Sequence, residues 1–137
     1  SLLEKDPALR NYALEMAGGL VITAAATSGI KLIVNRQRPY QRYTGIYPDQ
    51  YDDAGSFPSG HASVAFYTAA SLSLHYKKWY VVLPSFAWAS AVGYSRLYMG
   101  QHYPTDILAS AVTGIGSAWL SQWLGKKIFP QKKTVHP

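Results

Sequence analysis

Long apolar stretches alternate with short polar segments along this chain, and their length and small-residue content are typical of helices. The first stretch covers residues 8–36 and follows Asp6 and Pro7, an N-cap residue and a proline at the first helical position. Pro39 predicts that this helix ends near Arg38. Three more helices are predicted over residues 59–76, 79–97 and 106–124, the second of them interrupted early by Pro84. No strand signal accompanies them, so we expect an all-α bundle of at least four helices.

The composition sets limits on domain number and chemistry. The 137 residues are enough for one domain with a core, and we expect a single domain over residues 1–137. Because the chain begins with Ser1 and enters a helical pattern almost at once, we interpret it as the C-terminal part of a longer protein. Cysteine is absent, which excludes thiol nucleophiles, disulfides and zinc–thiolate sites. The net charge of +6 would suit nucleic acid, but no helix has a basic stripe, and we expect no nucleic-acid partner.

Three polar clusters interrupt the apolar pattern, and an up-and-down bundle places all of them at the same end. They are Lys31 with Arg38, then Ser59 with Gly60 and His61, and finally Arg96 with His102 and Asp106. Lys31 and Arg38 are seven residues apart, so on one continuous helix they would face the same way. A phosphoryl group in transfer spreads negative charge over three oxygens, and cations with donors at a helix N-terminus stabilise it. The clusters therefore predict a phosphate site.

His102 and Asp106 have the spacing of a hydrogen-bonded pair. At a helix start, a carboxylate four residues on is close enough to accept the imidazole N–H and fix the tautomer. The other ring nitrogen would then be free to act as a nucleophile. A helix-capping pair is the simpler interpretation of these two residues taken alone.

The three clusters together resemble the three-part signature of the type 2 phosphatidic acid phosphatase family, which also includes bacterial acid phosphatases and vanadium-dependent haloperoxidases. The matching pattern is Lys31-x6-Arg38-Pro39, Pro58-Ser59-Gly60-His61 and Ser95-Arg96-x5-His102-x3-Asp106. The resemblance implies that His102 attacks phosphorus to form a phosphohistidine, while His61 protonates the leaving oxygen and later deprotonates water. It also implies that the phosphate is bound by Lys31, Arg38, Ser59, Gly60 and Arg96.

No metal or other cofactor is expected, because the cations supply the electrostatic stabilisation and the histidines have other tasks. A group of aspartates at positions 49, 52 and 53 raises the question of a metal site. It lacks the spacing of a calcium loop, and we interpret it as a solvated acidic turn.

The distribution of basic residues favours a membrane-embedded bundle. Those away from the three clusters fall at the opposite end of the predicted bundle: Lys5, Arg10, Lys77, Lys78, Lys126, Lys127, Lys132 and Lys133. This asymmetry follows the positive-inside rule, and the three later helices have nearly the length that a bilayer requires. We expect a multi-pass protein of the bacterial inner membrane with its active site facing the periplasm or the outside. A mean hydropathy of −0.07 leaves a soluble bundle open.

The leading hypothesis is hydrolysis of a lipid phosphate monoester or pyrophosphate. Four tyrosines of the loop over residues 40–57 are expected to line the path of an acyl or prenyl chain: Tyr40, Tyr43, Tyr47 and Tyr51. Two alternatives stay open. One is a soluble acid phosphatase or vanadate-using haloperoxidase, and the other is a non-catalytic binder of anionic headgroups. The sequence selects neither a particular lipid nor an oligomeric state.

Overall fold

The structure is a computed structural model that describes residues 5–130. Five helices lie in this part of the chain: α1 (Pro7–Val34), α2 (Pro39–Arg42), α3 (Gly60–Tyr76), α4 (Trp79–Tyr98) and α5 (Pro104–Ile128). Residues 5–130 contain no strand. The predicted all-α bundle of at least four helices is confirmed, with α1, α3, α4 and α5 as its long members. The basic residues predicted in the C-terminal tail, Lys132 and Lys133, lie outside the described residues.

Helix α1 begins as predicted but ends earlier. The Asp6 carboxylate accepts two amides of the first turn at 2.9 and 3.2 Å, as an N-cap residue should. The helix ends at Val34 because Asn35 adopts a left-handed backbone with φ of 42°, a conformation that asparagine tolerates better than most residues. The end predicted between Arg36 and Arg38 is therefore too late. Pro39 does not end α1; it is the first residue of α2.

Two other helix predictions also need correction. Pro84 was predicted to interrupt helix α4, but the helix continues through it. Because proline has no backbone N–H, the helix lacks one hydrogen bond at this position. Helix α5 continues to Ile128, beyond the predicted end at Leu124. Gly125 lies inside α5, where a Cβ would overlap the Glu15 carboxylate of α1.

Helix α3 lies at the centre of the bundle and contacts α1, α4 and α5. Its buried face is made of small side chains, including Ala62, Ala65, Ala69 and Ala70. Gly114 of α5 lies so close to α3 that a Cβ would overlap the backbone at Ser63 and Tyr67. Gly19 of α1 leaves room for the Tyr67 ring, whose hydroxyl donates to the carbonyl of Met16 at 2.9 Å. This close packing brings the C-terminal ends of α1 and α4 next to the N-terminal ends of α3 and α5.

The bundle has small and polar side chains inside and many large apolar ones outside. Buried polar residues include Thr23, Ser63, Ser110 and Ser117, whereas Val21, Leu32, Leu83, Val112 and Trp119 are exposed. Within residues 5–130, one segment, Pro7–Arg42, is long and apolar enough to cross a membrane, with a mean hydropathy of 1.6 over 18 residues. Helices α3, α4 and α5 have 17, 20 and 25 residues but do not meet that criterion.

Candidate active site

His102 lies just before α5 in a buried position, and both of its ring nitrogens have a partner. Nδ1 lies 2.7 Å from the carbonyl oxygen of Ser56, and Nε2 lies 3.4 Å from Nη1 of Arg38. A carbonyl can only accept a hydrogen bond and a guanidinium can only donate one, so Nδ1 holds the proton and Nε2 keeps its lone pair. The ring is therefore held in the tautomer that a nucleophile requires.

Asp106 has a different partner from the predicted one. Its carboxylate lies 3.6 Å from Nδ1 of His102, beyond hydrogen-bond distance, and the Ser56 carbonyl accepts the imidazole N–H instead. Asp106 accepts the Tyr103 amide at 2.8 Å and the Arg36 guanidinium at 3.0 Å. Burial alone would raise the pKa of this carboxyl, but contacts with His102, Tyr103, Ser56 and Arg36 outweigh burial and lower the pKa from its usual value. An ionised carboxylate therefore faces the imidazole.

Lys31 and Arg38 reach the site by a different route from the predicted one. They do not share a helix face, because α1 ends at Val34. Both donate to the same stretch of backbone: Lys31 Nζ to the carbonyl of Gly55 at 2.8 Å, and Arg38 Nε to that of Ala54 at 3.0 Å. The loop over residues 43–59 thus holds the two cations at one end of the bundle.

Asp49, Asp52 and Asp53 are exposed, as expected of a solvated acidic turn, but Asp52 also forms an ion pair with Arg38. Its Oδ2 lies 2.7 Å from Nη2 of Arg38, and the Asp52 side chain is 54% exposed, against 3% for Arg38. Nη1 of Arg38 donates to the backbone and side-chain oxygens of Gln101 at 3.2 and 3.0 Å. Every nitrogen of this guanidinium therefore has a protein partner, and Asp52 covers Nη2 from the solvent side.

Ser59 and Gly60 lie at the N-terminus of α3, as the pattern predicts. The Ser59 hydroxyl caps the helix by accepting the Ala62 amide at 3.3 Å. The Ser59 amide donates to Oγ of Ser110 at 2.8 Å, and that oxygen lies 3.0 Å from the Ser59 carbonyl. Ser110 therefore anchors the start of α3 to α5. The first amides of α3, Gly60 included, have no intrahelical acceptor and are suited to an anion.

An open groove of about 570 Å³ extends from the site between α1, α3 and α4. Ala24, Val64, Trp88 and Val92 line its length, and Lys31 and His61 form its inner end. The walls are mainly apolar, whereas the inner end has one cation and one imidazole. The four tyrosines of the loop are not among the residues that line this groove.

The predicted cations lie near His61. Partial burial lowers the pKa of this imidazole, and electrostatic interactions with Arg96, His102, Arg38 and Lys31 lower it further. Among the described residues Arg96 forms no ion pair, its Nε is buried without an acceptor, and Nη1 lies 3.9 Å from the Met99 sulfur. A buried N–H without an acceptor is unfavourable, so an anion beside His61 would complete this part of the site.

Within residues 5–130, no group of three or more His, Asp or Glu side chains is arranged to hold a metal ion. Metal independence stays a prediction, because it concerns the reaction rather than the resting geometry. Positive charge of the kind that lies near His61 can stabilise a phosphoryl group in transfer, as a metal ion does elsewhere.

The profile of the PAP2 superfamily matches residues 12–129 of the chain. The chain therefore belongs to this superfamily of type 2 phosphatidic acid phosphatases, and the family resemblance of the three clusters is confirmed.

Several known proteins are similar to the chain. The lipid A 4'-phosphatase of Bacteroides thetaiotaomicron is 30% identical, over 94% of this chain and 64% of its own length. The crystal structure of Aquifex aeolicus LpxE superimposes with a TM-score of 0.77 at 26% identity, over 83% of this chain and 68% of that one. A transmembrane PAP2 type phosphatidylglycerolphosphate phosphatase from Bacillus subtilis gives a TM-score of 0.70 at 26% identity, covering 85% and 60%. The chain thus spans less than two thirds of the length of the lipid A 4'-phosphatase.

Five residues that contact the predicted site were missed by the sequence patterns: Arg36, Asp52, Ser56, Gln101 and Ser110. The spacing of Ser110, four residues after Asp106 on the same helix face, is a signal that could have found it. Ser56 acts through its backbone carbonyl, which no side-chain pattern encodes.

Proposed function

We propose that the chain hydrolyses a lipid phosphate monoester or pyrophosphate without a metal ion, through a phosphohistidine on His102. The single observation that supports this most is the pair of contacts on the His102 ring, from which its tautomer follows. Nδ1 donates to Ser56, and the lone pair of Nε2 lies beside the Arg38 cation. A protein that only bound anions would need the cations but would have no use for a nucleophile in this state.

The reaction takes place in two displacements. In the first, Nε2 of His102 forms a bond to phosphorus, the bond from phosphorus to the leaving oxygen breaks, and His61 gives that oxygen a proton. In the second, His61 takes a proton from water, the water oxygen bonds to phosphorus, and the bond to Nε2 breaks. Lys31, Arg38 and Arg96 stabilise the charge on the equatorial oxygens in both steps.

A direct test is phosphate release from detergent-dispersed phosphatidic acid and from an isoprenyl pyrophosphate, each with a chelator present. We expect turnover by the unmodified chain, and a loss of at least about 10³-fold in His102→Ala. His75→Ala is the matched control, since His75 stacks on Tyr12 at the other end of α3. Turnover that needs a divalent ion, or that survives His102→Ala, would contradict the proposal.

The lipid chain is assigned to the groove between α1, α3 and α4, because apolar walls lead directly to Lys31 and His61. We expect Ala24→Phe, which narrows the groove, to raise KM for long-chain phosphatidic acid and to leave a short-chain analogue unaffected. Val21→Phe is the control, since Val21 is 68% exposed outside the groove. An equal loss on both substrates would count against this assignment.

We further propose a multi-pass arrangement in a bacterial inner membrane, with the site at the periplasmic side. The large exposed apolar side chains support a lipid environment, and the basic residues away from the site support this orientation. The chain has no cysteine, so single cysteines at Tyr47 and Lys77 report on the two ends of the bundle. In intact cells, a membrane-impermeant maleimide should label Tyr47→Cys and not Lys77→Cys. Labelling of Lys77→Cys and not of Tyr47→Cys would mean that the protein has the opposite orientation.

A further inference from the structure

Arg36 is an arginine two residues before Arg38 that the phosphate chemistry does not use. Its Nη1 lies 2.7 Å from the Thr105 hydroxyl and 3.0 Å from Oδ1 of Asp106. Its guanidinium carbon lies 3.9 Å from the centre of the Tyr103 ring, in a cation–π contact. The side chain thus makes three different contacts with the short segment that starts α5.

The backbone of Arg36 supports the same site from another direction. Its carbonyl accepts the Ser56 amide at 2.8 Å, and the carbonyl of Ser56 in turn accepts the imidazole N–H of His102 at 2.7 Å. Two chains of contacts therefore run from Arg36 towards Nδ1 of His102. One passes through the backbone of Ser56, and the other passes through the carboxylate of Asp106.

Arg36 and Arg38 act on opposite sides of the imidazole. Arg38 contacts Nε2, where the phosphoryl group would bind, whereas the contacts of Arg36 lead to the Nδ1 side. Arg36 is not among the residues that line the groove. A cation in this position has the geometry of a support for the nucleophile and not that of a phosphate ligand.

We propose that Arg36 is a positioning residue for His102, an inference that rests on the phosphohistidine chemistry proposed above. The Asp106 carboxylate lies 3.6 Å from Nδ1 with no hydrogen bond of its own to the ring, so its position is set by its other partners. Arg36 fixes one carboxylate oxygen and the Tyr103 amide fixes the other. When Nε2 bonds to phosphorus the ring gains positive charge, and a carboxylate held at this distance stabilises it.

The test compares Arg36→Gln with Arg42→Gln in the full chain, using phosphatidic acid in detergent. Arg42→Gln removes the same charge from the same region, and within the described part of the chain the Arg42 side chain makes only a loose contact with the Tyr43 ring, at 5.9 Å. We expect Arg36→Gln to lower kcat about 10-fold with KM nearly unchanged, since misplacing a reacting group slows chemistry without weakening substrate binding. Arg42→Gln should stay within about twofold of the unmodified chain in kcat.

A double-mutant cycle with Asp106→Asn separates positioning from a general loss of structure. If Arg36 acts through Asp106, Arg36→Gln should have little further effect on kcat in the Asp106→Asn background. Arg36→Lys keeps the charge that pairs with Asp106 and should retain most of the activity. This variant also keeps the test decisive if Arg36→Gln does not fold.

Three results would overturn the inference while leaving the proposed function intact. Arg36→Gln could leave kcat unchanged, or it could raise KM alone. The third result would be a double mutant in which the losses of kcat from Arg36→Gln and Asp106→Asn are fully additive as free energies. A lysine variant as impaired as the glutamine variant would contradict it as well. By contrast, no turnover by the unmodified chain, or full turnover in His102→Ala, would refute the proposed function itself.

Discussion

The two histidines of the site lie in contrasting environments. His102 is buried, and both of its ring nitrogens are held, one by the Ser56 carbonyl and the other by Arg38. His61 is exposed at the inner end of the groove, and neighbouring Arg96 has a buried N–H with no acceptor among residues 5–130. One histidine is thus held by protein groups on both ring nitrogens, whereas the other lies in an open position beside a donor that a substrate oxygen could satisfy.

This difference corresponds to the two tasks of the proposed reaction. A nucleophile needs a fixed orientation and tautomer, and fixed dipoles around it require no reorganisation during the reaction. A general acid and base must reach first a leaving oxygen and then a water molecule, so it benefits from an open position. The comparison predicts that substitutions on the two sides have different kinetic signatures.

After the loss expected for His102→Ala, the largest predicted effect concerns His61. We expect His61→Asn to lower kcat by roughly 10²- to 10³-fold for an alkyl phosphate, whose leaving oxygen needs a proton. The first displacement with p-nitrophenyl phosphate should be affected much less, because its leaving group departs as a stable anion. Burst kinetics of nitrophenol release measure that step. Equal losses on both substrates would mean that His61 is not the acid.

The pH dependence of His61 provides a second test of the same assignment. Its pKa is lowered from the usual value of 6.5 by partial burial and by the nearby cations. As the pH rises, the imidazole therefore loses its proton before pH 6.5 is reached. If the protonated form is the acid, kcat/KM should fall as pH rises through that lowered pKa. A bound phosphate favours the imidazolium, so the corresponding fall in kcat should occur at higher pH. A pH profile unchanged in His61→Asn would contradict this assignment.

A smaller effect is expected for Asp106→Asn. Where an aspartate is the acceptor of a catalytic imidazole N–H, its loss costs about 10⁴-fold in kcat. Here the Ser56 carbonyl accepts that N–H, and the carboxylate acts only by its charge. We therefore expect a loss of about 10²-fold, measured as kcat on phosphatidic acid. A loss near 10⁴-fold would mean that Asp106 takes over the N–H during the reaction.

The smallest predicted effect concerns Asp52, which pairs with Arg38 and competes with a phosphate for Nη2. Asp52→Asn should lower the Kd of inorganic phosphate by roughly 3- to 10-fold, because the variant removes a negative charge beside the phosphate site. Asp53→Asn, which removes the same charge one residue away, is the matched control and should leave the Kd nearly unchanged. Equal changes in the two variants would indicate a general charge effect instead of competition for Arg38.

The sequence predicted the all-α bundle because the apolar stretches are long and Asp6, Pro7 and Pro104 are strong helix-start signals. It did not predict how the chain leaves α1. The left-handed turn at Asn35 depends on the particular residue and its neighbours, and apolar periodicity says nothing about it. Lys31 and Arg38 were expected to meet on one helix face, but they meet through the loop that accepts hydrogen bonds from both.

The structure brings together the candidate site residues that have cationic, imidazole or carboxylate side chains. Their roles in the reaction stay predictions. What the sequence could not provide is the part of the site built from backbone groups and long-range contacts. The Ser56 carbonyl lies 46 positions before His102, and Arg36 lies 70 positions before Asp106. Such contacts depend on the path of the loop over residues 43–59, and local propensity does not determine that path.

The most direct test of the central claim is to trap the covalent intermediate. His61→Asn should accept phosphate from p-nitrophenyl phosphate but release it slowly, because no base activates the water. Mass spectrometry after rapid quenching at alkaline pH should then find one phosphate, labile to acid, on His102. Phosphate on another residue, or turnover of the unmodified chain with no covalent intermediate, would contradict the account.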